Sequence, residues 1–192
     1  MKPIASVIVA ILIVVGIFFV LLAYSYTQIN VSLNDVTFHS IDWASLSWSA
    51  LLKLGLDALA GNWPDAAFEL IQGINLNLIF GLSNNGILPI FIPDIFYDLS
   101  INGINVGKGH STINTTINPG ETKEIPILQN FQKDSLTPTI ESIVINNGIM
   151  TIQISGTAYF ELLGLSIPIP FESTKQISIV DEVKNYLDSI SR

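Results

Sequence analysis

The residue types that most often carry chemistry are sparse in this chain, which has two histidines and no cysteine. Two to four positions after each histidine, His39 has one ligand-type residue, Asp42, and His110 has none. Because zinc sites need three or four protein ligands, both histidines are interpreted as solvated or core-edge residues. We therefore predict no metal site and no cofactor, and the lack of cysteine excludes disulfides and thiol nucleophiles.

Two short segments begin like the nucleophile turn of a hydrolase but lack its closing glycine, namely Gly81–Ser83 and Gly164–Ser166. The glycines of Val106–Gly109 do not precede a helical pattern whose amide groups would bind a phosphate. Glu121 and Glu124 follow a predicted turn, where carboxylates are normally solvated. The sequence thus predicts no catalytic residues and a protein that is not an enzyme. An envelope hydrolase is the less favoured alternative.

The overall charge excludes several classes of partner. The formal net charge is −8, and only 12% of the 192 residues are charged. A chain without a cluster of lysine or arginine cannot neutralise nucleic-acid phosphates. The same lack argues against electrostatic docking to anionic lipid headgroups.

The amino-terminal segment Ile4–Ala23 carries no charged residue over 20 positions. As a helix it is about 30 Å long, which is the thickness of the hydrocarbon core of a bilayer. Lys2 precedes it and the next basic residue is Lys53, so the positive-inside rule leaves residues 1–3 in the cytoplasm. We predict a single-pass anchor over residues 4–24, with everything after Tyr24 outside the cell membrane.

A cleaved secretory signal is the alternative, because Ala23 and Ser25 have the small-residue spacing of a cleavage site. The apolar run is longer than the usual 7–15 residues of a signal, so a retained anchor is favoured. Both alternatives export the rest of the chain. Two triplets, at Asn30 and Asn114, then become candidate N-glycosylation sites.

The exported part, residues 28–182, follows the two-residue period of β-strands. Ile29–Phe38 reads as a first strand with a bulge, Ile74–Phe80 as the next, and Ile149–Phe160 as a long later strand. The pair Asn102-Gly103 between apolar runs is a strong hairpin signal, and the prolines of 167–171 restrict that strand to a sheet edge. The pattern predicts an all-β, antiparallel sandwich or barrel.

Three helical patterns interrupt or follow the strands. Residues 134–145 are predicted as a short helix capped by Asp134, with Pro138 in its first turn. Residues 181–191 are predicted as an amphipathic helix capped by Asp181. Residues 45–72 are leucine-rich and favour a helical hairpin inserted into the sandwich domain.

The helical hairpin at 45–72 suggests a binding role, because all three tryptophans lie in or beside it and tryptophan favours the membrane interface. The ordinary interpretation is that both helices bury leucines against the sheet. The alternatives are contact with the outer bilayer face, or a lid over an apolar cavity that would hold lipid. The candidate contact residues are Trp43, Trp48, Leu51, Leu52, Trp63 and Phe68.

An ordered series of features from Ile74 to Ile179 resembles the late-embryogenesis-abundant type 2 family, also called the water-stress and hypersensitive-response (WHy) domain. The series contains an Asn-rich turn, a hairpin that ends in Val106–Gly109, the turn and strand of 117–127, a short helix, a long strand and the Ile-Pro repeat of 167–171. The resemblance implies a fibronectin-like β-sandwich of seven strands with short helices and no catalytic residues. It also implies a role in stress or desiccation tolerance, with some anchored members proposed to hold lipid.

Together these observations predict a single-pass, membrane-anchored, extracytoplasmic module with a non-catalytic role in binding lipid, the membrane surface or a partner protein. The alternative is a structural subunit of a membrane-associated complex or a pilus-like filament, polymerising through helix 4–23. No pilin processing site precedes that helix at Met1–Pro3, which favours the first interpretation.

Overall fold

The computed structural model describes residues 2–44, 70–162 and 164–180. Within these ranges the chain forms two helices and seven strands, in which apolar residues alternate with polar ones along most strands. The elements are α1 (Lys2–Thr27), β1 (Ile29–Trp43), β2 (Ile71–Asn84), β3 (Ile90–Ile101), β4 (Ile104–Ile117), β5 (Glu121–Gln132), α2 (Lys133–Ile145), β6 (Ile149–Leu162) and β7 (Leu165–Ser178).

The strands form two antiparallel sheets, a three-stranded sheet in the order β1-β2-β5 and a four-stranded sheet in the order β4-β3-β6-β7. At the edges, β1 lies beside β7 and β4 beside β5. This is a fibronectin-like β-sandwich preceded by an apolar helix, and it confirms the predicted fold class.

The core lies between the two sheets and is filled by the inward-facing residues of each strand. In β2, Leu76, Leu78 and Phe80 are all fully buried. The Phe80 ring contacts the rings of Tyr97 and Phe171 in the opposite sheet, with centroids 5.5 and 5.8 Å apart. These rings join the two layers at the centre of the sandwich, as expected for aromatic pairs in a close-packed core.

Because the strands are antiparallel, the loops divide between two ends of the sandwich. The proximal end, as we call it, holds the carboxyl end of α1, the β2–β3 loop (85–89), the β4–β5 turn (118–120) and the start of β7. The distal end holds the carboxyl end of β1, the β3–β4 turn (102–103) and α2. The two ends are up to about 45 Å apart, the length of 15 extended residues in β1.

Helix α2 confirms the helix predicted at 134–145 but corrects its start. The helix begins at Lys133 after Gln132, whose side chain makes no capping bond. Asp134 therefore lies in the first turn, where its charge favours the helix dipole, and is not the cap. Pro138 lies inside the helix, and its missing N–H costs one bond near the exposed start, to the carbonyl of Asp134.

Most predicted strands are present and longer than the sequence suggests. The bulge expected in β1 is found between Leu33 and Asp35, and β7 is an edge strand, as its prolines predict. Ile71 and Gln72 belong to β2 rather than to the predicted hairpin. The rest of that hairpin, 45–69, and the terminal helix at 181–191 lie outside the described residues.

Candidate functional site

Helix α1 is apolar on all sides and projects away from the sandwich for most of its length. Every described side chain from Ser6 to Leu21 is exposed, and Ser6–Thr27 is long and apolar enough to cross a membrane. A helix that is apolar all round needs an apolar environment. The helix therefore has the properties of a membrane anchor or of a signal sequence.

The carboxyl end of α1 is built into the proximal end of the sandwich. Ser25 is fully buried, and its Oγ accepts a hydrogen bond from the backbone N–H of Ile87 at 3.2 Å. One residue, Gln28, separates α1 from β1, and its carbonyl accepts the N–H of Asn85 at 3.1 Å. The Tyr26 hydroxyl donates to the carbonyl of Pro168 at 3.3 Å. The junction thus joins the helix to the β2–β3 loop and to β7.

Asn84 organises the loops next to this junction. Its side chain is fully buried, and its Nδ2 donates to the carbonyls of Leu88 at 2.8 Å and Ile117 at 3.0 Å. Its Oδ1 accepts the N–H of Gly86 at 3.0 Å. A buried amide must be satisfied in this way, so Asn84 fixes the path of the β2–β3 loop against the end of β4.

The sandwich exposes large apolar side chains in a few places only. At the proximal end, Ile87 is 47% exposed and Leu165 is 63% exposed. Ile87 bonds Ser25 of α1, Leu165 lies three residues before Pro168, which bonds Tyr26 of α1, and Tyr24 is also exposed. The others that the structure describes on the sandwich are Phe96, Leu128, Ile145, Ile149 and Tyr159.

A second surface, on the outer face of the four-stranded sheet, carries an aromatic cluster with a histidine–carboxylate contact. The rings of Phe96 and His110 stack with centroids 4.3 Å apart, and Tyr159 meets Phe96 edge-on at 5.8 Å. His110 Nε2 lies 2.8 Å from Asp94 Oδ1, and Thr112 donates to the same oxygen at 3.0 Å. The hydrogen bond from His110, with that from Thr112, holds the pKa of Asp94 below its ordinary value.

This aromatic cluster lines a groove of about 400 Å³ with Lys108, which pairs with Asp98 at 3.2 Å. The imidazole is engaged by a ring and a carboxylate, and none of the residues that line the groove is a serine. The groove can supply stacking and hydrogen bonds to a partner. Sequence reasoning missed it, because Asp94 and His110 are brought together only by the register of β3 against β4.

The predicted contact residues are placed only in part. Trp43 ends β1 at the distal end, where its half-buried ring packs on the core, and Ala44 N–H bonds the carbonyl of Leu70 at 2.7 Å. The described residues on either side of 45–69, Ala44 and Leu70, are therefore adjacent. Trp48, Leu51, Leu52, Trp63 and Phe68 lie outside the described residues.

The two candidate glycosylation sites are both exposed. Asn30 lies at the start of β1, near the end of α1, while Asn114 lies in β4 at a bulge with φ of 46°. In the described part of the chain, no three histidine or acidic side chains come together to hold a metal ion. His39, like His110, is exposed.

No family model matches the chain, and no curated protein matches its sequence.

The fold has counterparts among solved structures. A solution structure of a protein from Arabidopsis thaliana is 12% identical, covers 77% of this chain and 80% of its own, and has a TM-score of 0.55. A solution structure described as a candidate late embryogenesis abundant (LEA) protein is 14% identical, covers 92% and 86%, and has a TM-score of 0.49. A crystal structure of an Archaeoglobus fulgidus protein is 12% identical, covers 76% and 96%, and has a TM-score of 0.45. The chain therefore shares its fold with the Arabidopsis protein.

Proposed function

We propose that this protein is a single-pass, membrane-anchored module that presents a WHy-like β-sandwich outside the cytoplasm for a non-catalytic binding role. The observation that carries the proposal is the junction at Ser25. An apolar helix with the length of a membrane span passes into a β-sandwich through one intervening residue, and Ser25 in its last turn is buried and hydrogen-bonded.

A retained anchor explains this junction better than a cleaved signal does. A signal is removed from the mature protein, and cleavage after Ser25 would take away a residue that the sandwich buries completely. It would also leave the N–H of Ile87 without its partner. A hydrogen bond of this kind contributes about 0.5–1.5 kcal/mol, so the sandwich is more stable with the helix attached.

Orientation follows from charge. Lys2 precedes the apolar run and no basic residue occurs again until Lys53. The positive-inside rule then leaves the amino terminus in the cytoplasm and the sandwich outside.

The binding role rests on the surfaces that face away from the anchor. The aromatic groove and the distal end both lie clear of α1, so a partner protein or a lipid can reach them from outside. The resemblance to the WHy domain adds a role in stress or desiccation tolerance. In that setting a rigid junction holds the binding surfaces at a fixed height above the bilayer.

The cysteine-free sequence allows a direct test of anchoring and orientation. Single variants Pro3→Cys and Leu128→Cys are treated on intact cells with a maleimide reagent that cannot cross membranes. We expect labelling of Leu128→Cys only, labelling of Pro3→Cys after permeabilisation, and retention of the full mass in the carbonate-washed membrane. A mature protein shortened at Ser25, or label on Pro3→Cys in intact cells, would overturn the proposal.

The binding role is tested separately. Native mass spectrometry of the intact chain in micelles measures both bound lipid and oligomeric state. A stoichiometric lipid, or a captured protein whose binding is weakened by Tyr159→Ala, supports the proposed role. Extended polymers that dissociate when α1 is altered would favour the filament subunit instead.

A further inference from the structure

The proximal end of the sandwich overlaps the apolar run of α1 instead of beginning beyond it. Leu22 belongs to the uncharged run Ile4–Ala23, yet it is partly buried against the sandwich core. Leu12 and Val14, earlier in the same run, are 64% and 66% exposed. In the final turn of the apolar run, one side of the helix therefore packs against the sandwich while the other side stays exposed.

The start of β7 extends back along the helix. β7 runs in the same direction as β1, because Tyr26 bonds Pro168 while Leu33 N–H bonds Ser173 Oγ at 3.2 Å. Leu165 lies three residues before Pro168, which is roughly 10 Å of extended chain. Leu165 therefore lies beyond Pro168 at the end of the sandwich from which α1 projects.

Ile87 reaches a similar height on the β2–β3 loop. Its N–H bonds Ser25, which is two residues and so roughly 3 Å beyond Ala23 along the helix. Its side chain is 47% exposed, and that of Leu165 is 63% exposed. Tyr24, also exposed, has the amphipathic ring that is enriched where a bilayer meets water.

We propose that Ile87 and Leu165 are immersed in the outer leaflet, so that the sandwich contacts the lipid bilayer independently of the transmembrane helix. This inference rests on the proposed anchoring and names the lipid surface as the occupant of the proximal end. If the end stood in water instead, the last turn of the apolar run would have to leave the hydrocarbon with it.

Charge limits the depth of this contact. Glu161 is exposed and pairs with Ser166, one residue past Leu165. A carboxylate stays in the headgroup region or in water, because its transfer to hydrocarbon is costly. Immersion therefore ends near Ser166, and the contact depends on apolar side chains. We expect it to form on uncharged phosphatidylcholine and to be insensitive to salt.

The test places one nitroxide label at a time on the otherwise cysteine-free full chain in phosphatidylcholine vesicles. The two test sites are Ile87→Cys and Leu165→Cys. The matched control is Leu128→Cys, which is 57% exposed and lies on β5 opposite Asn77, away from the proximal end. Val14→Cys, in the middle of α1, reports on the anchor itself. Collision rates with oxygen and with a water-soluble nickel chelate give the depth of each label.

We expect nickel accessibility to be several-fold lower at residues 87 and 165 than at residue 128, with the opposite order for oxygen. Equal nickel accessibility at 87, 165 and 128, with Val14 protected, would overturn this inference and leave the anchor intact. Loss of protection at Val14 itself would instead overturn the proposed anchoring. The two test sites lie in different elements, the β2–β3 loop and the start of β7, so either variant that keeps the parent circular dichroism spectrum decides the question.

Discussion

The two ends of the sandwich are each organised by one asparagine, and the two asparagines work by different physics. At the proximal end Asn84 is fully buried within regular β structure and satisfies three backbone groups, two in the β2–β3 loop and one at the end of β4. At the distal end Asn102 is half-buried in a tight turn with φ of 51°. The proximal end is held by fully buried hydrogen bonds. The distal end is held by a left-handed turn together with more exposed hydrogen bonds between Asn102 and Ser142, Ile149 and Thr151.

The distal end repeats this use of turn conformation at the end of α2. Asn147 and Gly148 both have positive φ, at 54° and 79°. The N–H of Gly148 bonds the carbonyl of Ile143 at 2.8 Å, and that of Asn147 bonds Val144 at 3.0 Å. This is the Schellman arrangement, with asparagine in the left-handed position. Such turns tolerate water, so the distal end can stay open to solvent.

The difference between the two ends predicts which positions tolerate substitution. Asn84 and Ser25 are both fully buried where the helix meets the sandwich. A substitution that removes their hydrogen bonds leaves a buried polar group without a partner, which is costly. The distal turns are in contact with water, which replaces lost hydrogen bonds. We expect the proximal end to be the less tolerant of mutation.

The largest predicted effect is that of Asn84→Asp. The substitution keeps the acceptor for Gly86 but places a carboxylate oxygen against the carbonyls of Leu88 and Ile117. An uncompensated buried charge costs about 3–5 kcal/mol, so we expect a loss of that size in the free energy of unfolding. Urea unfolding of the full chain in micelles, followed by circular dichroism, measures it. A loss equal to that of Asn102→Asp would contradict the difference between the ends.

Gly86→Ala is expected to have the next largest effect. A Cβ at this position would overlap the Ser25 hydroxyl and lie 2.9 Å from its carbonyl oxygen. Overpacking of this kind costs about 1–3 kcal/mol and should loosen the junction. A spin-label distance between Val14→Cys and Leu128→Cys is expected to broaden. The control is Gly103→Ala, where a Cβ meets nothing within 4 Å; it should lower stability through its positive φ without broadening that distance.

The third prediction is that Asn102→Asp costs about 1 kcal/mol, the net value of a typical hydrogen bond. Its Oδ1 still accepts the N–H of Thr151, found at 2.8 Å, and Asp tolerates the left-handed conformation. What is lost is the Nδ2 donor, which bonds Ser142 Oγ at 3.2 Å and the solvent-exposed carbonyl of Ile149 at 3.4 Å. The urea experiment used for Asn84→Asp measures this loss in the free energy of unfolding. A loss above 3 kcal/mol would show that water does not reach the substituted side chain at the distal end either.

Local pattern predicts the distal end better than the proximal one. The Asn102-Gly103 pair predicts the β3–β4 turn, and the alternation of residues 74–80 and 149–160 predicts strands β2 and β6. The strands are longer than predicted, because pairing with a neighbour extends β structure past the residues that alternate. The aromatic groove is unpredicted, since it depends on the register between strands.

The proximal end combines residues whose local signals are misleading. Ser25 has the spacing of a cleavage site, and Ser83-Asn84-Asn85-Gly86 has the composition of a turn. In the structure Ser25 is fully buried and Asn84 is the last residue of β2. Burial of a polar side chain depends on which distant carbonyls reach it, and a single sequence carries no local sign of that.

The smallest predicted effect distinguishes the ends by pH. In the β4–β5 turn, Glu121 Oε2 accepts the N–H of Asn118 at 2.7 Å, and Lys123 Nζ lies 3.5 Å from Oε1. The bond from the Asn118 backbone, chiefly, lowers the pKa of Glu121 below its ordinary value of 4.5. A lowered pKa means that the carboxylate stabilises the fold above the unfolded value and that this contribution is lost as the pH falls through the folded value.

The amide proton of Asn118 should therefore shift as Glu121 is protonated, at a pH below 4.5, in an NMR titration of the full chain. The Asn102 amide bonds the carbonyl of Thr151, which does not titrate, and should stay constant over the same range. Glu121→Gln should abolish the shift of the Asn118 amide. The titration of Asp94, whose pKa is also lowered, should be unchanged in this variant. A transition at Asn102 of the same midpoint would mean that acid loosens the whole sandwich, and that the two ends do not respond separately.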